Sequence, residues 1–403
     1  MKRMASDAAP ERALPQAKTG GRDKLIFLVT DDWYFWLHRL PMARAAQEMG
    51  FDVAVATRVE AHGERITGAG FALHPLGWRR GALSPLANLV ALLEIWRLYR
   101  RERPLIVHHV SLKPALLGGL AALLAGVPAV VNVITGMGYV TTSPTVKARC
   151  IGMLTRLVAP WLLLRDNART IVENEDDRLA LVTLHPSAAA RIAKFSGTGV
   201  DLARFHPTAE PPPPIVAAYA GRMIASKGLT FLVEAQQSLQ RQGVDLRLDL
   251  AGAPDPENPT SLPEATLAAW SKLPGLRWLG HQADVRTVWQ HAHVAVLASE
   301  RREGLPVSLL EAAAMGRPIV ATDIPGTREF ARDEVNALLV PPQNSAALAA
   351  ALLRLAQDGT LRARLGAAGR AMVENSFSDR AATAATAALY RALLQDIGVR
   401  RPA

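Results

Sequence analysis

The sequence predicts an α/β protein, with two doubly wound parallel-sheet domains in tandem joined by a short stiff linker. Three observations carry this. Short Val- and Leu-rich runs alternate with helical apolar periodicity along almost the whole chain, as in repeated βαβ units. Four consecutive prolines, 211–214, interrupt the pattern, which restarts at once. The 403 residues suffice for two domains, and a composition 49% hydrophobic and 20% charged is that of a globular chain.

Taken in order, residues 1–22 are polar, mixed in charge and broken by Pro10 and Pro15, a loose tail without the apolar core of a signal peptide. The first domain spans 23–210. Residues 24–30 (KLIFLVT) form an apolar strand opening onto Thr30-Asp31-Asp32-Trp33-Tyr34. A helix over 37–49 stops at Gly50, and a strand follows over 51–56. Such a right-handed unit places ligands at the strand's carboxyl end, where Asp31 and Asp32 stand. The competing role for either aspartate is to cap the helix.

A strand over 71–76 precedes a helix over 85–103. That helix carries apolar Leu86, Leu89, Val90, Leu93, Trp96 and Leu98, and ends in Arg97, Arg100, Arg101 and Arg103. The basic end suits the helix dipole, and the stripe serves either core packing or rest on a membrane. Residues 104–110 (PLIVHHV) bring His108 and His109 to a strand's carboxyl end, one to each face, as packing or functional groups.

No charged residue lies between Lys113 and Lys147. Gly126-Val127-Pro128 splits this stretch into a helix over 114–125 and a strand over 129–134, so a spanning helix is not expected. The loop Thr135-Gly136-Met137-Gly138-Tyr139 offers backbone donors but lacks the third glycine of a dinucleotide fingerprint. Strands over 169–173 and 191–195 close the domain.

The second domain, 215–378, restarts with a strand over 215–220 and a loop, Gly221 to Gly228, ahead of a helix from Leu229. Gly221 admits a ligand to the backbone. Arg222 and Lys227 supply the bidentate and point-charge cations that a diphosphate needs. Further strands are expected over 246–251, 276–279, 294–298 and 318–321, with a helical tail from Ser345. Between two of them lies Ser299 to Pro318. Glu303 stands there in the loop before a helix N-terminus, and Glu311 on a helix face that should be apolar. A carboxylate so placed needs a partner, and one long ligand touching both glutamates would supply it.

Charge and cysteine usage bound the partners. Residues 1–214 carry 26 Lys+Arg against 18 Asp+Glu, so they hold +8 of the chain's formal +10. A basic first half favours a polyanion or an anionic lipid surface. The single cysteine, Cys150, rules out an internal disulfide framework and fits a reducing compartment.

Glu303 and Glu311, with Gly221-Arg222 and Lys227-Gly228, resemble the donor site of family-4 retaining glycosyltransferases of GT-B fold. The stretches TDDWYFWLHRLPMARAA, VHHVSLKP, NVITGMGY, ENEDDR, GTGVDLARFHP and REGLPVSLLEAAAMGRPIVATDIPGTRE resemble its bacterial polysaccharide branch, whose members extend sugars on undecaprenyl diphosphate.

The resemblance implies two Rossmann-like domains facing a cleft, with residues 379–403 crossing back as a helix onto the first. Arg222 and Lys227 would hold the donor diphosphate in place of a metal ion. Glu303 would contact the donor sugar, helped by backbone N–H groups from Gly304, Leu305, Pro306 and Val307. Glu311 would bind the ribose. Catalysis would thus fall to Glu303, Arg222 and Lys227, with no cofactor beyond a UDP-sugar substrate.

The acceptor would be a lipid-linked glycan at an anionic membrane surface, met by a cytoplasmic, peripheral enzyme. Two departures touch the acceptor side. Asp31-Asp32-Trp33-Tyr34 replaces a Gly-Gly loop, and Thr135-Gly136 stands where others carry a histidine. The acceptor-side candidates are Asp32, His109, Lys113, Thr135 and Gly136. The rival readings are a soluble transferase for a small acceptor, a nicotinamide dehydrogenase, and a basic nucleic-acid-binding protein. The last lacks an aromatic–basic platform, so no nucleic-acid partner is expected.

Overall fold

Two parallel sheets, each built from short apolar strands with helices on both faces, make up the chain. The computed structural model describes residues 23–79, 84–135, 159–196 and 198–399. The first sheet has seven strands: β1 (Lys24–Asp31), β2 (Asp52–Arg58), β3 (Ala72–Pro75), β4 (Ile106–Val110), β5 (Ala129–Ile134), β6 (Ala168–Val172) and β7 (Ile192–Lys194). Their order is β3-β2-β1-β4-β5-β6-β7, which makes β1 and β4 central. The second has six: β8 (Ile215–Ala220), β9 (Leu246–Ala251), β10 (Leu276–Gly280), β11 (Val294–Leu297), β12 (Ile319–Thr322) and β13 (Ala337–Val340). Their order, β10-β9-β8-β11-β12-β13, puts the carboxyl ends of β8 and β11 side by side at the middle of the sheet. The chain direction reverses in strand order at such a point, which is where an open α/β sheet binds its ligand.

The helix expected over 37–49 is instead two, α1 (Asp32–His38) and α2 (Leu40–Glu48), broken at Arg39. Pro41 is the cause, because its ring blocks the carbonyl four residues back and it has no N–H to give. The break turns Arg39 inward, where it is fully buried. Further helices among the described residues of this domain include α3 (Gly63–Gly68), α4 (Pro85–Glu102), α5 (Leu112–Ala125) and α6 (Glu175–Leu184). α5 ends at Gly126, whose φ of 71° only glycine adopts freely, and β5 follows directly. No described helix is long and apolar enough to cross a membrane.

The second domain carries α7 (Leu229–Arg241), α8 (Glu264–Trp270), α9 (Arg286–His291) and α10 (Val307–Ala314). Its strand β13 is absent from the expectation, since an Ala-Leu-Leu-Val run reads equally as helix; pairing with β12, Ile319 opposite Ala337, decides it. The helical tail is three helices, α11 (Ser345–Gln357), α12 (Gly359–Met372) and α13 (Asp379–Asp396). α13 leaves the second domain. Its Ala382, Tyr390, Leu393 and Leu394 join the core formed by Phe27, Phe51 and Ile106 of the first. Tyr390 Oη lies 2.5 Å from His108 Nδ1, and Arg169 pairs with Asp396. The alternation along β4 thus separates the histidines, with His108 under α13 and His109 on the opposite face.

Candidate donor site

Backbone geometry at the end of β8 creates the site. Gly221 and Arg222 leave the strand and a short turn, Ala225–Lys227, leads to Gly228 at a φ of 65°. A Cβ at 228 would lie 1.9 Å from the Ala298 carbonyl oxygen, so only glycine lets this loop press against the end of β11. That approach brings Lys227 to Glu303, with Nζ and Oε1 2.6 Å apart. Ser299 Oγ donates to the same carboxylate oxygen at 2.5 Å. Lys227 and Glu303 are both largely covered, with side chains 16% and 18% exposed, so their charges are poorly screened.

Arg222 Nη1 reaches Asp255 Oδ2 at 2.8 Å, and its carbonyl accepts from Tyr219 Oη at 2.9 Å. The guanidinium itself is about half exposed and faces the cleft. Eight residues after Glu303, Glu311 projects from α10. Burial pushes its carboxyl up to about 7; the Arg204 charge and the Trp289 indole pull it down, while Asp284 adds to the rise. Of the four expected backbone donors, Pro306 has no N–H, a correction to the reading of the whole stretch as a donor loop. The Leu305 N–H already donates to Glu173 Oε2 at 3.4 Å. Gly304 and Val307 are then the remaining backbone donors of the four.

A cavity of about 670 Å³ opens between the domains. Asp31, Trp33 and Arg58 line it on one side, Gly221, Arg222 and Asp255 on the other. Lys227, Glu303 and Glu311 are not in its wall. Arg58 spans it, 2.9 Å from Asp31 Oδ1 and 2.5 Å from Glu257 Oε1.

The acceptor-side candidates do not gather there. Asp32 is fully buried, and its Oδ2 accepts the N–H groups of Glu60, Ala61 and His62 at 2.7–2.9 Å. Burial alone would raise its pKa, but those bonds hold it below the usual value. Asp32 therefore anchors a turn rather than facing a ligand, and the helix-cap alternative fails too, since neither aspartate caps α1 with its side chain.

His109 is corrected likewise. Its Nε2 bonds Tyr99 Oη at 3.0 Å and its Nδ1 bonds Asn132 Oδ1 at 2.9 Å. Burial brings it down to about 4, against the opposing Asn132 bond, so it is a neutral packing group beneath α5. Lys113 Nζ donates to the Arg79 carbonyl at 2.5 Å, and burial lowers its pKa against the pull of Glu257 and Asp31. Thr135 Oγ1 bonds Ser111 Oγ at 3.1 Å, and its carbonyl abuts Gly304. Gly136 lies outside the described residues.

Residues that the sequence reading passed over do meet the site: Asp255 on Arg222, Ser299 on Glu303, Trp289 beside Glu311, and Glu173 on the Leu305 amide. Ser299 lies only four residues before Glu303, whereas the other three are brought in from distant elements and carry no local signal. Arg39 is the exception, because the Leu40-Pro41 step announces a helix break.

Residues 24–163 match the family described as Glycosyl transferase 4-like, and residues 214–358 match that described as Glycosyl transferases group 1. The chain is 22% identical to the capsular polysaccharide biosynthesis glycosyltransferase CapM of Staphylococcus aureus, over 77% of this chain and 82% of CapM. It is 26% identical to the UDP-Gal:alpha-D-GlcNAc-diphosphoundecaprenol alpha-1,3-galactosyltransferase of Escherichia coli, over 69% of this chain and 73% of the relative. Among solved structures, Anabaena HepE in complex with UDP-glucose superposes with a TM-score of 0.72 at 16% identity, over 92% of this chain and 99% of HepE. Both sheets and both halves agree on one assignment: the chain belongs to the family-4 glycosyltransferases of GT-B fold.

Proposed function

We propose that the protein moves a hexosyl or N-acetylhexosaminyl unit from a UDP-sugar to an undecaprenyl-diphosphate-linked glycan, in polysaccharide synthesis, with retention of configuration. One observation carries the donor side: Lys227 and Glu303 are paired at 2.6 Å beside Arg222, at the carboxyl edge of the second sheet. Support for UDP comes from HepE, solved with UDP-glucose, and for a lipid diphosphate from the Escherichia coli relative.

In this reading Arg222 and Lys227 take the diphosphate, which displaces Glu303 from Lys227 toward the sugar hydroxyls. Glu311 accepts from the ribose hydroxyls. The acceptor oxygen attacks the anomeric carbon on the face of the departing diphosphate. The carbon–oxygen bond to phosphate breaks, and the acceptor proton passes to a diphosphate oxygen. Both cations stabilise the charge left on UDP, in the place a metal ion would hold, so rate comes from positioning and electrostatics.

Assaying UDP release across a panel of UDP-sugars tests this. One donor should support release that depends on a lipid-diphosphate acceptor, and the product should keep the donor's anomeric configuration by NMR. Equal release with a free monosaccharide acceptor would favour a soluble, small-acceptor enzyme instead.

The membrane part of the reading rests on α4. Leu86, Leu89, Val90 and Leu93 are 70%, 51%, 58% and 39% exposed at helical spacing, an apolar stripe without a partner among the described residues, on a helix ending in Arg100 and Arg101. Such a helix suits the surface of an anionic bilayer, here the inner face of the cytoplasmic membrane. The protein is expected to float with phosphatidylglycerol vesicles, and the Leu86→Asp/Leu89→Asp variant to stay behind. Flotation indifferent to both lipid charge and these substitutions would remove the membrane surface from the reading.

A further inference from the structure

The loop that carries Glu303 is held from both domains. On the second-domain side, the Glu303 N–H donates to the Pro325 carbonyl at 3.1 Å, and Gly326 packs on the Gly304 carbonyl. On the first-domain side, three neighbouring residues take hold of it. Asp177 Oδ1 accepts from Arg302 Nη2 at 2.6 Å. Asn174 Nδ2 approaches the Glu303 carbonyl at 3.4 Å, and Glu173 Oε2 the Leu305 N–H at the same distance. A Cβ at 304 would come within 2.5 Å of the Thr135 carbonyl and 2.6 Å of Glu173 Oε2, so the docking requires glycine at that position.

The first-domain grips are themselves rigid. Asn174 caps α6 by accepting the Asp177 N–H at 2.7 Å, and its amide donates back to Asp177 Oδ2 at 2.8 Å. Glu173 is backed by the fully buried Arg39, 3.5 Å away, which also bonds Thr198 at 2.9 Å. Buried, cross-bonded side chains of this kind hold a loop to the sub-ångström tolerance that a sugar-orienting carboxylate needs.

We infer that Glu173, Asn174 and Asp177 of the first domain, with Arg302, are positioning residues for the donor sugar. They set the Glu303 carboxylate, while nucleotide binding stays with the second domain alone. The inference rests on the donor-site reading proposed above. Its consequence is a split. Arg222, Lys227 and Glu311 all belong to the second domain, so loosening the first-domain grip alters turnover and leaves the nucleotide site intact.

The test uses the full chain with Arg302→Ala, Arg302→Lys and Glu173→Gln. Turnover is followed by UDP release, and UDP affinity and thermal stability by calorimetry. Arg302→Ala is expected to lower kcat by about tenfold or more, with UDP Kd held within about twofold. Arg302→Lys should restore most of the loss, and Glu173→Gln should show the same split. Arg302 is one-third exposed, so its truncation leaves the core intact. The inference is overturned by an unchanged kcat, by a UDP Kd that rises in step with the loss of kcat, or by a lysine variant no better than alanine. Glu303→Ala serves as control: full turnover in that variant sinks the donor-site reading itself, whatever Arg302 does.

Discussion

Replacing Lys227 by Ala is expected to weaken UDP binding by about 30-fold, or about 2 kcal/mol, the loss typical of truncating one partner of a covered charge pair. Glu303→Ala should do the opposite to affinity. The Lys227 ammonium is neutralised by the Glu303 carboxylate at 2.6 Å. Removing that carboxylate frees the lysine for phosphate, so UDP should bind at least as tightly as to the parent. Turnover with the UDP-sugar should nevertheless fall about a hundredfold, because the group proposed to orient the sugar is gone. Calorimetry with UDP and initial rates with UDP-sugar measure the two effects separately. Parallel losses of UDP affinity in both variants would show that the pair acts only as scaffold.

The second large effect belongs to Glu311. An unfolded glutamate ionises near 4.5, and Glu311 in the fold near 7, with burial the main cause. The fold therefore prefers the neutral acid. Its ionisation carries no penalty below pH 4.5; the penalty grows between 4.5 and 7 and is complete above 7. Glu311→Gln removes the ionisable group, so its stability advantage should be absent at pH 4 and present at pH 8. Partial contact with solvent keeps that advantage to about 2 kcal/mol, or about 5 °C in Tm.

If Glu311 binds the ribose as proposed, the same change should weaken donor binding about tenfold at pH 8, since a carboxylate acceptor for the hydroxyls is replaced by an amide. A variant that is more stable yet binds its donor less well is the expected signature of a residue retained for function. Melting curves at pH 4 and pH 8 decide the matter. A Tm difference independent of pH would mean that burial of the charge is not what sets the Glu311 pKa.

How much of this was legible in the sequence differs between the two halves of the site. On the donor side the candidates are carried by local signals. Gly221, Arg222, Lys227, Glu303 and Glu311 all fall within two strand–loop–helix units, and the physics that places them is local. A strand end, a glycine and a helix N-terminus are each read from a few consecutive residues. The backbone differs from the expectation, because Pro306 has no N–H and the Leu305 N–H is taken by Glu173.

The acceptor half went the other way. His109 and Asp32 stand where ligands commonly bind, yet both are consumed by hydrogen bonds with residues far along the chain. Whether a strand-end side chain faces a cleft or a neighbouring helix depends on which helix covers it, and the sequence carries no local trace of that choice.

By itself, then, the amino-acid sequence determined the alternation of strands and helices, the four-proline run at 211–214 between the two sheets and the cations and carboxylates at two strand ends. These follow from periodicity, proline and glycine stereochemistry, and the dislike of charge for an apolar face. Only the tertiary structure decided the partners: Lys227 with Glu303, Arg222 with Asp255, Glu173 with the Leu305 amide, and α13 against β4. The reason is strand order. β8 pairs with β11 although nearly 80 residues separate them, and the last helix returns to a domain that the chain had left at residue 210. Contacts made by long-range packing depend on the whole arrangement of elements, and no short window of residues encodes them.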